Sequence, residues 1–305
     1  MQKKRDRKFA HYFSRYVAFP QIIFVVVVPL YYFLYLYPSD KVIFGLGREH
    51  AGFIVSSTLM AVSLLFWEKI APLEKFQISS KQLYYDVINQ LMTGIAYSIY
   101  IFIMIALSIW LNKSGKIFSL RHLPTFFQFI IGISLQEFFL YLWHRLLHES
   151  GSQTLWLLHE PHHLPRRYHF LSGGRVHLLD LSFLFLLMGS LQIIFNISLD
   201  VMMWMMMYPI ITGAVHHTNV DFRLGLFNWI FLGPELHRCH HDRDPRVAVN
   251  YSSCFPLWDI VFNTLGPLRA GHETQYGVAY HSDEEDTYMD AFIAPFIKTR
   301  RISSD

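Results

Sequence analysis

Cysteine is almost missing from this chain, with only Cys239 and Cys254 in 305 residues. Two thiols exclude a disulfide framework and are too few for a zinc ribbon or an iron–sulfur cluster. Charge is scarce as well, at 16%. No basic stripe interleaved with stacking aromatics lies outside the apolar runs, which sets nucleic acid aside as a partner. The chain has no GxGxxG fingerprint for a flavin or a nicotinamide and no haem-type cytochrome segment. Any electrons it uses must therefore come from a separate protein. Behind the basic cluster at 3–8 there is no short apolar core with a small-residue cleavage site, so the N-terminus reads as retained.

What the chain has in excess is apolar surface: 52% of residues are hydrophobic and 17% aromatic. That is more than a soluble fold usually buries, and the membrane is the expected solvent. Val17 to Tyr37 is an uncharged run long enough to span the hydrocarbon, with Tyr31, Tyr32, Tyr35 and Tyr37 at an interfacial end. Ala51 to Trp67 and Val87 to Asn112 are also uncharged. Pro124 to Trp143 is interrupted only by Glu137, and Leu181 to Val215 only by Asp200. The last run reads as a tight hairpin of two short helices; as a single crossing it would change the parity. With six crossings and the basic N-terminus inside, Glu68 to Asp86, His144 to Leu178 and everything after His216 fall on the cytoplasmic face. The expected fold is all-α, a polytopic bundle of about four to six transmembrane helices under a cytosolic, histidine-rich cap. Its expected regions are an N-terminal membrane part (1–127), a catalytic part (128–277) and a polar C-terminal tail (278–305), integrated without repeats or linkers.

Histidine is the other excess. Of 17 copies, twelve lie between His144 and His241. His144 and His148 are four apart at the end of a span and share one helical face. His159-Glu160-Pro161-His162-His163 and His237-Arg238-Cys239-His240-His241 are both HxxHH. In a helix the fourth and fifth positions of that motif point about 100° apart and can serve two different ions. Eight imidazoles exceed what one ion takes, so two metals are implied. Imidazole suits zinc, copper, nickel and iron alike. At a membrane surface beside apolar helices, a two-metal centre suggests attack on unactivated C–H bonds of a lipid chain, which needs oxygen activated at a redox metal, with iron the favoured ion.

HxxxH, HxxHH and HxxHH in this order resemble the membrane fatty acid hydroxylase and sterol desaturase superfamily. The resemblance runs from Gln128 to Gly277. It includes Leu171-Ser-Gly-Gly-Arg-Val-His177-Leu-Leu-Asp180, the triplet His217-Thr218-Asn219, Asn250-Tyr251 and Pro256-Leu257-Trp258-Asp259. Leu164 after the second box and Asn263 near the end depart from the usual pattern and leave the subfamily open. The resemblance implies that His144, His148, His159, His162, His163, His237, His240 and His241 hold two iron ions, with dioxygen as co-substrate. His217 and His177 are further candidates; His216 could replace its neighbour, and His177 could instead cap a loop.

Glu137, two turns before His144, is expected to accept a hydrogen bond from a ligand imidazole, unless it pairs with Arg145 or Arg175. Asp180 and Asp259 invite the same role. Phe138, Phe139, Tyr141 and Trp143 could line a substrate entry. The implied activity is hydroxylation of a fatty acyl chain or membrane lipid, with a sterol-type substrate second. A cytochrome, ferredoxin or reductase would supply electrons. A zinc-dependent membrane hydrolase is the rival from another class. A metal sensor or transporter would scatter its histidines through the spans rather than gather them at one face.

Overall fold

The computed structural model describes residues 17–38, 40–41, 47–113, 119–244, 249–266, 274–278 and 284–297. The basic cluster at 3–8 lies outside them. All regular elements among the described residues are helical. Helix α1 (Phe19–Tyr31) continues as a π-turn over Tyr32–Leu36. Pro29 inside α1 has no N–H to offer the preceding turn, which loosens the ladder where the wider turn begins. Helices α2 (Arg48–Ile70), α3 (Ser80–Lys113), α4 (Thr125–Glu149) and α6 (Leu178–Phe195) include four segments long and apolar enough to cross a membrane. Helix α7 (Leu199–His216) has 18 residues, about 27 Å of length.

Helix α7 is the centre of the packing. Met202, Met203, Met206 and Met207 on it are buried against Ile22, Val26 and Leu30 of α1, Met60 and Leu64 of α2, and Tyr100 and Met104 of α3. Unbranched, polarizable methionine fills the irregular gaps between helices that cross at different angles. The expected hairpin at Leu181 to Val215 is present as α6 and α7. They are joined through Asn196 in the left-handed conformation (φ 42°), and the Gln192 side chain donates to the Ile197 carbonyl at 2.8 Å. Gln128 of α4 accepts from the Ser198 N–H at 2.9 Å and so ties the hairpin turn to its neighbour.

Short helices carry the cap: α5 (Gln153–His163), α8 (Pro234–His240) and α9 (Leu257–Val261). The segment from 278, expected as a polar tail, instead contains α10 (Glu284–Ile297), which packs against α5. Small buried Ala291 and Ala294 allow that close approach, and Ala291 shares an apolar cluster with Leu164 and Val278.

Two carboxylates, half-buried Glu68 and buried Asp86, fasten the cap to the spans. Glu68, at the end of α2, accepts from the Phe170 and Asn219 N–H groups, both at 2.7 Å, and from the Thr218 hydroxyl at 3.2 Å. Asp86 in α3 pairs with Arg175 at 2.5 Å and with His169 at 3.0 Å, and neither Asp86 nor Arg175 is appreciably exposed. Removing one partner of such a pair strands the other charge. Asp86→Ala is therefore expected to destabilise the protein by about 3–5 kcal/mol, read as a lower unfolding midpoint of the detergent-solubilised chain. An unchanged midpoint would show that Arg175 finds another counter-charge.

Candidate metal centre

The last two turns of α4 place His144 and His148 side by side, and α5 and α8 bring the two HxxHH segments against them. Two groups result. In the first, His144, His148, His159, His163 and His240 each put one ring nitrogen within 4.8 Å of the others. In the second, His162, His217, His237 and His241 do the same. Each HxxHH segment splits in the way its helical spacing suggests. The first and fifth residues, four apart, go to one group, and the fourth crosses to the other. The groups abut where the His163 and His241 rings stack with centroids 4.3 Å apart.

Hydrogen bonds on the outer ring edges decide which nitrogens face inward. His144 Nδ1 lies 2.8 Å from the Tyr251 carbonyl and His240 Nδ1 3.2 Å from the Val249 carbonyl. A carbonyl only accepts, so each Nδ1 carries the hydrogen and each Nε2 is bare. His159 Nδ1 donates to Asp180 Oδ2 at 2.9 Å, and the other oxygen of Asp180 accepts from Trp143 Nε1 at 2.7 Å. Nε2 of His148, His163 and His240 is buried with no hydrogen-bond partner. Elsewhere Nε2 faces Nε2: His144 to His159 at 3.0 Å, His237 to His217 at 3.1 Å and His241 to His237 at 3.0 Å.

His144 and His159 both carry their hydrogen on Nδ1, so between them lone pair faces lone pair, which in a dry interior is costly without a cation. Two nitrogens bound at right angles to one ion at about 2.1 Å would lie about 3.0 Å apart, which is the spacing found. Burial also pushes the imidazoles of His159, His162, His163, His217, His237, His240 and His241 well below their usual pKa, holding them in the neutral form a metal ligand needs. The donor set fits two metal ions.

The remaining expectations divide. His217 joins the second group. Gly173 packs against it so closely that a Cβ there would fall 2.7 Å from the ring. His216 turns away, with Nε2 2.7 Å from the Leu232 carbonyl. His177 joins neither group: its Nδ1 accepts the Leu179 N–H at the start of α6 and its Nε2 faces the Phe292 carbonyl at 3.1 Å. Glu137 does not reach a ligand imidazole, nor do Arg145 and Arg175 reach it, since they pair with Glu149 and Asp86. Its Oε2 accepts the Cys254 and Phe255 N–H groups at 2.7 and 3.3 Å. Asp259 holds the same loop through Tyr251 and Ser252 at 2.8 and 2.9 Å. It thereby positions the carbonyl that orients His144. The roles of Glu68 and Asp86 went unread in the sequence, because nothing in the local pattern of α2 and α3 says which distant loops arrive there.

Residues 129–264 match the family model for fatty acid hydroxylase. That segment is similar to the fatty acid hydroxylase family. Among curated proteins it is similar to the ornithine lipid hydroxylase OlsE of Rhizobium tropici, with 33% identity over 156 residues, 51% of this chain and 46% of that protein. It is also similar to the alkylglycerol monooxygenase of Caenorhabditis elegans, with 27% identity over 173 residues, 54% of this chain and 31% of that protein. The corresponding enzyme of Xenopus tropicalis is 26% identical over 145 residues, 47% of this chain and 31% of that protein. The chain thus spans less than half the length of these curated relatives. No solved structure matches it significantly. The matched segment contains both histidine groups in full.

A cavity of about 350 Å³ lies beside the two histidine groups. His144, His159, His162, His217 and His237 form one end, and Phe53, Met60, Tyr97, Leu184 and Ile210 of the surrounding helices form apolar walls. Trp143 lines it as expected, while Phe138 packs on Trp258 and Tyr141 is buried against Phe262.

Metal analysis of purified variants tests the ligand sets. His148→Ala and His217→Ala should each deplete bound metal, whereas His177→Ala should leave it unchanged. Asp180→Asn, which weakens the bond behind His159, should lower metal affinity by about 10- to 100-fold. A depletion by His177→Ala equal to that by His217→Ala would remove the distinction drawn between them.

Proposed function

We propose that this chain is a multi-pass membrane enzyme that hydroxylates a lipid, using two iron ions held by the two histidine groups and dioxygen as co-substrate. The observation that carries the proposal is the apolar cavity ending on five of the nine clustered imidazoles. The relatives support it, since one acts on an ornithine lipid and the others on alkylglycerols by name. In this reading His144, His148, His159, His163 and His240 hold one iron and His162, His217, His237 and His241 the other. Iron bound there would supply the reductive activation of dioxygen that C–H oxidation requires, with electrons delivered by a separate cytochrome, ferredoxin or reductase. The catalytic region corresponds to 128–277, with its histidines on the cytoplasmic face.

The residues of this chain do the rest. Phe53 and Ala61 both line the cavity from α2, eight residues or about 12 Å apart along the helix, so the cavity extends from the centre into the level of the spans. Its apolar walls exclude water and would align an extended chain end-on to the histidines. No lysine or arginine is among its lining residues within the described part of the chain. An anionic head group would have no partner inside and would stay at the mouth, leaving an uncharged hydrocarbon segment as the part that reaches the metals. Asp180 keeps His159 in one tautomer and orientation, and the carbonyl of Tyr251 does the same for His144.

Lipid extracts of cells with and without the protein provide the test. The expected product is a lipid heavier by one oxygen, absent with His162→Ala. A loss of two hydrogens would indicate desaturation instead. Zinc as the sole metal under iron-replete growth, together with no oxygen consumption, would favour the hydrolase and sink the oxygenase reading.

Gly213 gives a second test. It lines the cavity, and a Cβ built on it meets nothing within 4 Å. Gly213→Leu should therefore project into open space and lower turnover of the native lipid by about tenfold or more, as an interaction loss of about 1.4 kcal/mol per decade requires, with metal content unchanged. Undiminished turnover would place the substrate elsewhere.

A further inference from the structure

Two segments of the cap are inside out. Between Gly225 and Phe231 the exposed side chains are Leu226, Phe227, Trp229, Ile230 and Phe231, the first of them 86% exposed, while Asn228 is buried. Between Leu257 and Phe262 the exposed residues are Leu257, Ile260, Val261 and Phe262, while Asp259 is buried. A loop in water shows the opposite arrangement. A contiguous apolar patch of this kind marks a contact with something apolar.

The polar groups of these segments are satisfied from within. Glu235 Oε1 accepts the Leu224 and Gly225 N–H groups at 2.8 and 3.2 Å and the Asn228 side-chain amide at 2.6 Å. The other end of that amide accepts from the Gly233 N–H at 2.9 Å. The Leu232 N–H donates to the Cys254 carbonyl, and Glu137 takes the N–H groups of Cys254 and Phe255. Irregular backbone is tolerated at membrane depth only when its polar groups are met by protein in this way.

Position agrees with composition. The Trp258 ring lies 4.7 Å from Phe138, and Phe262 stacks on Tyr141 at 5.2 Å, so α9 lies along the outer face of α4. Phe138 is six residues before His144, about 9 Å along the helix toward the middle of the span. On the other side Phe255 stacks on Tyr208 of α7 at 5.2 Å, with Phe231 beyond it at 5.8 Å. Tyr208 is nine residues before His217, about 13 Å along α7 and its cap. Both segments therefore dip from the histidine level toward the membrane core. Their apolar surface continues the exposed row Phe139, Leu142 and Leu146 of the spanning helix α4.

We infer that Gly225–Phe231 and Leu257–Phe262 form a wedge inserted into the acyl-chain region of the leaflet on the histidine side, so that lipid hydrocarbon is the partner of this surface. The inference rests on the multi-pass membrane reading and is independent of the chemistry assigned to the histidines. The wedge flanks α4 and α7, which both line the cavity, and sets the depth of the metal centre relative to the lipid.

Spin labels report that depth directly. Cys239 and Cys254 are buried, so the full-length protein can be labelled at an added cysteine and reconstituted in phosphatidylcholine vesicles. At Leu226→Cys, Phe227→Cys and Val261→Cys, the ratio of collision with dissolved oxygen to collision with a water-soluble nickel chelate should be severalfold higher than at Ser150→Cys, on the exposed turn after α4. Ratios equal to that at Ser150→Cys would put the segments in water and overturn the inference. Spin–spin broadening relieved by dilution with unlabelled protein would overturn it in favour of a second copy as the partner. A catalytically silent protein that still gave the high ratios would leave the wedge standing and count only against the proposed reaction.

Discussion

The loops that carry imidazoles into the cap are fastened by buried or half-buried carboxylates accepting N–H groups from distant parts of the chain. Glu68 joins the turn after the second histidine box to the residues after α7, and Asp86 holds Arg175 and His169. Glu137 and Asp259 grip the two ends of 251–255, and Glu235 closes the loop before the third box. In water such contacts would add little over solvation. Inside a membrane protein the alternative is an unmet backbone donor, which costs about 1–3 kcal/mol, so Glu68, Glu137, Glu235 and Asp259 each fix a loop position that apolar packing alone would leave loose, while Asp86 does so through the side chains of Arg175 and His169.

That rigidity is what allows the bare Nε2 atoms to be held together. Five and four imidazoles converge within 4.8 Å, and between His144 and His159, whose Nδ1 hydrogens both point outward, lone pair faces lone pair, which is repulsive for the protein alone. The outer Nδ1–H bonds to Asp180, Tyr251 and Val249 prevent the rings from rotating to relieve it. Energy invested in ordering the ligands is recovered when a cation binds, so metal affinity and fold stability are linked through the same side chains.

Much of this was legible in the sequence because it depends on spacing along one helix. HxxxH and the two HxxHH segments specify which imidazoles share a face, and the apolar runs anticipate α2, α3, α4 and the α6–α7 hairpin. His217 and His177 show where spacing stops helping. Both sit at helix ends near the boxes, yet only the turn after α7 points inward, while His177 is spent on the N-terminus of α6 and on Phe292. Glu137 and Asp180 make the same point. Glu137 shares a helical face with His144 seven residues on, but that imidazole already has its own acceptor in the Tyr251 carbonyl, and the approaching Cys254 loop takes the carboxylate. Asp180 comes from another helix and meets His159 across the interface, an encounter no local pattern specifies.

The inverted loops bear on how such a site meets its substrate. A hydrocarbon chain leaving the bilayer for a metal centre in water would lose about 0.8 kcal/mol for each methylene exposed on the way. An apolar cavity reaching from Phe53 to the histidines removes that cost inside the protein, but its rim must also touch lipid without an aqueous gap. Exposed Leu226, Phe227, Val261 and Phe262, with Asn228 and Asp259 turned inward, extend the lipid-facing surface of α4 up toward the level of the metal ligands. In the proposed reading the polar centre is thereby sunk to the depth of a lipid substrate, and the buried carboxylates that hold the loops are what make the inversion tolerable for the backbone.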